Sequence, residues 1–181
     1  MNADIFNPIT NNEYADFVTR EAFTLTGYAV RTRNADEAES DGRLSGLWQV
    51  YNQSGFVQEA EVRDPHLIYA LYTDYESDAS GAYTVVLGHQ CAPAASALPS
   101  SDKEDSFGDE RFWASVPESR YRVFKTRRGP VWQVVAEAWT DIWAHFEGSS
   151  EQRAYTGDFE QYDTREFDPE NAEVLIYIAV R

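Results

Sequence analysis

The chain is poor in cysteine, histidine and basic side chains. Cys91 is the single cysteine among 181 residues. That excludes a disulfide framework, and a reducing, cytoplasmic setting is the simplest expectation. His66, His89 and His145 do not combine with Cys91 at finger-like spacing, so no metal site is expected. The first twenty residues hold neither a basic leader nor an apolar stretch, which argues against a signal peptide. No apolar run approaches the length of a membrane span, so no membrane partner is expected. Fifteen Lys and Arg stand against 31 Asp and Glu, a net charge of −16. Such a field repels phosphate and speaks against direct binding to nucleic acid. Gly-rich phosphate loops and Ser-His-Asp or Cys-His nucleophile patterns are also missing, and no cofactor is expected.

Aromatic residues are plentiful. They make up 14% of a chain that is 43% hydrophobic, enough for a packed core and against disorder. The negative field that repels phosphate attracts small cations, although acidity also serves solubility.

Along the chain, residues 1–20 are polar and mixed and read as an N-terminal arm. A strand is expected over 23–32. Leu44, Leu47, Trp48 and Tyr51 fall at helical spacing. Strands at 67–75 and 83–89 flank a turn at 77–81. Residues 92–119, with Pro93, Pro99, Pro117 and an acidic cluster, read as a connector, with Phe112 and Trp113 packing back onto the body. The order then restarts: a strand at 120–126, a turn at 127–130 and a helix with a wide apolar stripe from Val131 to Phe146. Strands at 157–163 and 172–180 close the chain.

Strand, helix, strand, strand thus occurs twice, at a period of about 90 residues, with half one near 21–91 and half two near 120–181. Trp48 falls opposite Trp139 and Tyr72 opposite Tyr162. The expected fold class is α+β: two βαββ units related by a pseudo-twofold axis, antiparallel sheet with helices, and a ligand cleft between the repeats. One domain spans 21–181.

Three segments together carry a resemblance. They are Phe23 through Thr32 leading to Trp48; Tyr69 through Gly88; and Val116-Pro117-Glu118-Ser119-Arg120-Tyr121 with Arg128-Gly129-Pro130, Trp139, Asp158-Phe159-Glu160-Gln161-Tyr162 and Val174 through Val180. The chain resembles the GyrI-like superfamily, the effector-binding domain of AraC-type and MerR-type bacterial multidrug regulators. The resemblance covers about residues 20–181 and implies a cleft for lipophilic cations. A Glu at the position of Glu160 would be the counter-ion among stacking aromatics. Stand-alone members of the superfamily include proteins carried on mobile gene cassettes, protectors of DNA gyrase and hydrolases of cyclopropane-bearing alkylators. The twenty residues before the match are too few for a helix-turn-helix domain, so a stand-alone form is expected.

Glu160 heads the candidate site. Strand alternation puts residues 158, 160 and 162 on one face. A carboxylate flanked by aromatics suits a cation, since aromatic faces attract one. Burial would raise its pKa, and without a protein partner it would call for a ligand. Trp48, Tyr72, Tyr83, Trp139 and Tyr162 complete the candidate ligand-binding set, although tryptophans at helical spacing also serve as core.

The function expected first is binding of a lipophilic cationic aromatic compound. Two alternatives stay open. One is a hydrolase of electrophilic cyclopropanoids in which Glu160 is the catalytic group. The other is an acidic protein-interaction inhibitor of DNA gyrase. Monomer and dimer are both compatible with the sequence.

Overall fold

The computed structural model describes residues 15–39, 42–59, 61–92 and 111–181. The strands are β1 (Ala15–Arg20), β2 (Phe23–Arg33), β3 (Leu67–Thr73), β4 (Ala82–Cys91), β5 (Phe112–Val116), β6 (Ser119–Lys125), β7 (Asp158–Asp163) and β8 (Leu175–Val180). The helices are α1 (Asn34–Glu37), α2 (Leu44–Gln53), α3 (Phe56–Glu59) and α4 (Val131–Gly148). All strands join one antiparallel sheet in the order β1-β6-β8-β7-β3-β4-β2-β5. The fold class is α+β, as the residue pattern indicates.

Two stretches differ from their expected form. Residues 15–20 of the arm are a strand, paired with β6 from Arg20 opposite Ser119 to Ala15 opposite Val123. Residues 112–116 of the connector are also a strand, paired with β2. The sequence hid both because each is short and lies on an edge, where one neighbour suffices and alternation is weak. Residues 1–14 of the arm and 93–110 of the connector lie outside the described residues.

The order of the sheet forces it to curl. β1 and β2 are six positions apart in the sheet, about 29 Å if it were flat at about 4.8 Å per strand. Only Glu21 and Ala22 join them, and three Cα steps of about 3.8 Å reach at most about 11 Å. β5 and β6 are also six positions apart and are joined only by Pro117 and Glu118. The sheet therefore wraps until its edges approach. Inside the wrap, Phe23, Leu71, Val86, Val116, Tyr121, Phe159 and Tyr177 form an all-strand core. Phe159 is its hub, with Tyr177 stacked at 4.5 Å and Tyr121 and Phe23 edge-on at 5.3 and 5.6 Å. Gly27 and Gly88 face each other across β2 and β4, where a Cβ on either would run into the opposite backbone. Only glycine permits that approach.

The helices cover the other face. Leu47, Tyr51, Val85, Leu87, Phe124, Ile142, Ile176 and Ile178 form a second core there. In α4 only Val134 and Ile142 are fully buried. The rest of its apolar stripe, including Val131, Val135 and Trp139, is half-buried. That stripe is only partly covered because it walls a cavity.

Candidate functional site

The central strands β3 and β7 pair with Ala70 opposite Glu160 and Tyr72 opposite Asp158. Alternation sends Phe159 into the all-strand core and turns Asp158, Glu160 and Tyr162 toward the helices. Between this floor and helices α2 and α4 lies a cavity of about 890 Å³. All six residues expected to bind ligand line it: Glu160, Trp48, Tyr72, Tyr83, Trp139 and Tyr162. Trp143, on the same stripe of α4, lines it too.

Glu160 is 3% exposed. The expectation that it has no protein partner does not hold. Tyr72 Oη and Trp139 Nε1 donate to Oε1 at 2.8 and 2.6 Å, and Tyr162 Oη donates to Oε2 at 2.5 Å. All three donors are neutral. Burial raises the carboxyl pKa above its ordinary value, and the hydrogen bonds from Trp139, Tyr162 and Tyr72 pull it back only in part. Burial and the nearby carboxylate push the Tyr72 and Tyr162 phenols well up, so both stay protonated and keep donating. Among the described residues, Glu160 is thus solvated by protein dipoles and paired with no cation.

The aromatic lining falls into two groups of touching rings. Trp48 meets Tyr162 edge-on at 5.1 Å, Trp139 meets Tyr72 at 5.0 Å, and Tyr72 and Tyr83 are 5.6 Å apart. Tyr83 Oη donates to Asn34 Oδ1 at 2.7 Å, which fixes its ring on the floor.

Three further ionisable residues line the cavity that residue patterns did not single out: Tyr75, Arg153 and Glu37. Glu37 Oε1 accepts from Arg43 N at 2.9 Å and Oε2 from Leu44 N at 3.2 Å. It thus caps the first turn of α2, where backbone N–H groups lack helical partners. Arg153 Nη2 donates to Asp158 Oδ2 at 2.6 Å, as does Tyr75 Oη at 2.7 Å. No sequence pattern announces them, because Tyr75, Arg153 and Asp158 come from separate stretches that only the fold brings together.

The remaining reactive side chains lie elsewhere. His89 is buried and bonded to Tyr51 Oη through Nε2 at 2.5 Å. Cys91 Sγ contacts Thr24 O at 3.7 Å. Among the described residues no three His, Cys, Asp or Glu side chains converge as a metal would require. No helix among them is long and apolar enough to cross a membrane.

Comparison with known proteins gives the family and the fold. The family model described as Cass2, integron-associated effector binding protein, matches residues 16–180. YobU of Bacillus subtilis (strain 168), described as a candidate transcriptional regulator, is 34% identical over 160 residues, covering 87% of this chain and 91% of its own. The integron cassette protein VCH_CASS2, from the mobile metagenome of Vibrio cholerae, superposes with a TM-score of 0.70 at 30% identity. That match covers 94% of this chain and 97% of the other. SAV2435, solved bound to tetraphenylphosphonium, also superposes with a TM-score of 0.70. At 18% identity over 93% of this chain and 94% of its own, it shares the fold.

Proposed function

This chain belongs to the Cass2 family of integron-associated effector binding proteins, and from that premise we propose that its cavity reversibly binds a lipophilic cation lacking N–H donors. The observation that carries the reading is Glu160. It is buried, it faces a large aromatic cavity, and among the described residues it holds hydrogen bonds from three neutral groups and from no cation. A buried carboxylate of that kind favours a positive charge nearby. Its hydrogen-bond capacity is already largely used, so an ammonium with several N–H groups gains little from it. A quaternary ammonium, phosphonium or delocalised aromatic cation needs only the field and the ring faces. The tetraphenylphosphonium bound by SAV2435 is such a cation, and the volume of about 890 Å³ fits a drug-sized ligand.

Hydrolysis is the weaker reading. A carboxyl of raised pKa suits general acid or base work, but three donors occupy the oxygens that would have to take a proton from water.

Calorimetric titration with tetraphenylphosphonium and with neutral triphenylphosphine oxide tests the proposal. The cation is expected to bind at micromolar concentration and the neutral compound far more weakly. Glu160→Gln, folded by circular dichroism, is expected to lose that preference. Equal binding of both compounds to the wild type, or no binding of the cation, would sink it.

A further inference from the structure

The exposed aromatic side chains gather at the mouth of the cavity. Among the described residues the large apolar side chains left exposed are Phe17, Val18, Trp132, Trp143 and Phe167. The last three all line the cavity. Trp132 is the most open of them, at 62%. A tryptophan left in water forgoes the burial that a ring of its size favours. Exposed apolar side chains grouped at the rim of a cavity mark a binding surface.

Helix α4 sets the spacing. Trp139 and Trp143 follow Trp132 on it, and at about 100° per residue both fall within about 20° of Trp132, in one row down the helix. At about 1.5 Å per residue, Trp132 stands about 10 Å along the helix from Trp139, whose Nε1 donates to Glu160. Ala136 lies between the two and also lines the cavity. Its short side chain leaves a notch in the row of rings.

The loop after β7 supplies the other side of this end. Pro169 O accepts from Val131 N at 2.8 Å, which fixes the loop beside the start of α4. Phe167, on that loop, meets Tyr162 edge-on at 6.3 Å, and Tyr162 donates to Glu160. Two paths thus lead from Glu160 to this end of the mouth, one through Tyr162 to Phe167 and one along α4 to Trp132. The charged lining residues other than Glu160 gather around Tyr75 and Tyr83 instead. Arg153 Nη2 donates to Tyr75 Oη at 3.3 Å, and Glu37 shares α1 with Asn34, which holds the Tyr83 hydroxyl. The Trp132 end therefore suits an uncharged, apolar part of a ligand.

We infer that the mouth between Trp132 and Phe167 is a second subsite, for a flat aromatic ring, so that the preferred ligand is an elongated cation with its positive centre at Glu160 and an aromatic ring about 10 Å away. The inference rests on the cation reading of Glu160. The cavity of about 890 Å³ is near the top of the range of about 300–1,000 Å³ for small-molecule sites, so it has room for such an arm. The test compares trimethyl(6-phenylhexyl)ammonium, whose extended arm spans that distance, with trimethyl(2-phenylethyl)ammonium, whose arm does not. The wild type is expected to bind the long arm at least about tenfold more tightly by calorimetry. Trp132→Ala and Phe167→Ala, both at exposed positions, are each expected to weaken the long arm about fivefold and to leave the short arm unchanged. The Trp132 indole N–H resonance of ¹⁵N-labelled wild type, a reading that needs no variant, is expected to shift with the long arm and not with the short. Equal affinities in the wild type, an unmoved indole resonance, or long-arm affinity that survives in Trp132→Ala overturns the subsite and leaves the cation site standing. So does failure of both ammoniums to bind where tetraphenylphosphonium binds. Self-association that is lost in Trp132→Ala while long-arm affinity holds assigns the ring to a second copy of the chain and overturns the subsite as well. Failure of all three cations to bind overturns the cation reading and this inference with it.

Discussion

Asp158 and Glu160 stand on the same face of β7, two residues apart, and both are buried. Their neutralisation differs. Asp158 has a guanidinium, a phenol and a backbone amide; Glu160 has an indole and two phenols. The first carboxylate is complete within the protein. The second is hydrogen-bonded by neutral groups and has no counter-charge among the described residues. Burial by itself therefore does not identify a binding residue here. What separates the two is whether a partner of opposite charge is built in.

The comparison breaks most sharply on removal of charge. Asp158→Asn leaves Arg153 buried without a counter-ion and is expected to destabilise the fold by about 3 kcal/mol or more in urea titration. Glu160→Gln removes a charge that has no ion partner, so the ligand-free protein is expected to be as stable as wild type or more so. Its affinity for tetraphenylphosphonium is expected to fall about 30-fold or more by calorimetry. Comparable destabilisation by both variants would erase the distinction.

pH separates the pair next. The pKa of Glu160 is raised in the folded chain, so between its unfolded and folded values the native state holds more protons. The cost of its charge is therefore fully present above the folded pKa and is relieved as pH falls toward the unfolded value. Ligand-free stability attributable to Glu160, read as wild type minus Glu160→Gln, is expected to improve on acidification through that window. Cation affinity is expected to weaken over the same window, because the bound cation favours the ionised form. Affinity that does not change with pH across the titration of Glu160 would contradict this.

A smaller effect is expected at Trp139. Trp139→Phe keeps an aromatic wall but removes the donor at 2.6 Å. Tetraphenylphosphonium affinity is expected to change about threefold or less, because the field of Glu160 remains. The smallest concerns Gly157, at φ 150° just before β7. Gly157→Ala is expected to cost about 1 kcal/mol in thermal unfolding without altering ligand preference.

Much of this arrangement was legible in the chain. The period-2 alternation of Asp158, Glu160 and Tyr162 gave the face they share, and the helical spacing of Trp48 and Trp139 gave the two walls. The hydrogen bonds to Glu160 were not legible. They depend on β3 lying beside β7, which brings Tyr72 to Glu160, and on α4 crossing above both strands, which brings in Trp139. The joining of Arg153 and Tyr75 at Asp158 was hidden for a similar reason. Its members come from three places, the end of β3, a loop and the start of β7. Strands β1 and β5 were missed because their identity comes from their neighbours: each pairs with the half of the chain to which it is not joined by a short link.

That exchange of edge strands bears on the order in which the protein can be made. The strand preceding β2 completes the sheet next to β6, and the strand preceding β6 completes it next to β2. Neither half can finish its edge while the other is absent. Tyr72 must wait for Glu160, 88 residues later in synthesis, and β7 still needs β8, which follows it in the chain. A nascent chain on the ribosome therefore has no finished cavity until β8 has emerged, and effector would reach only chains made at least that far.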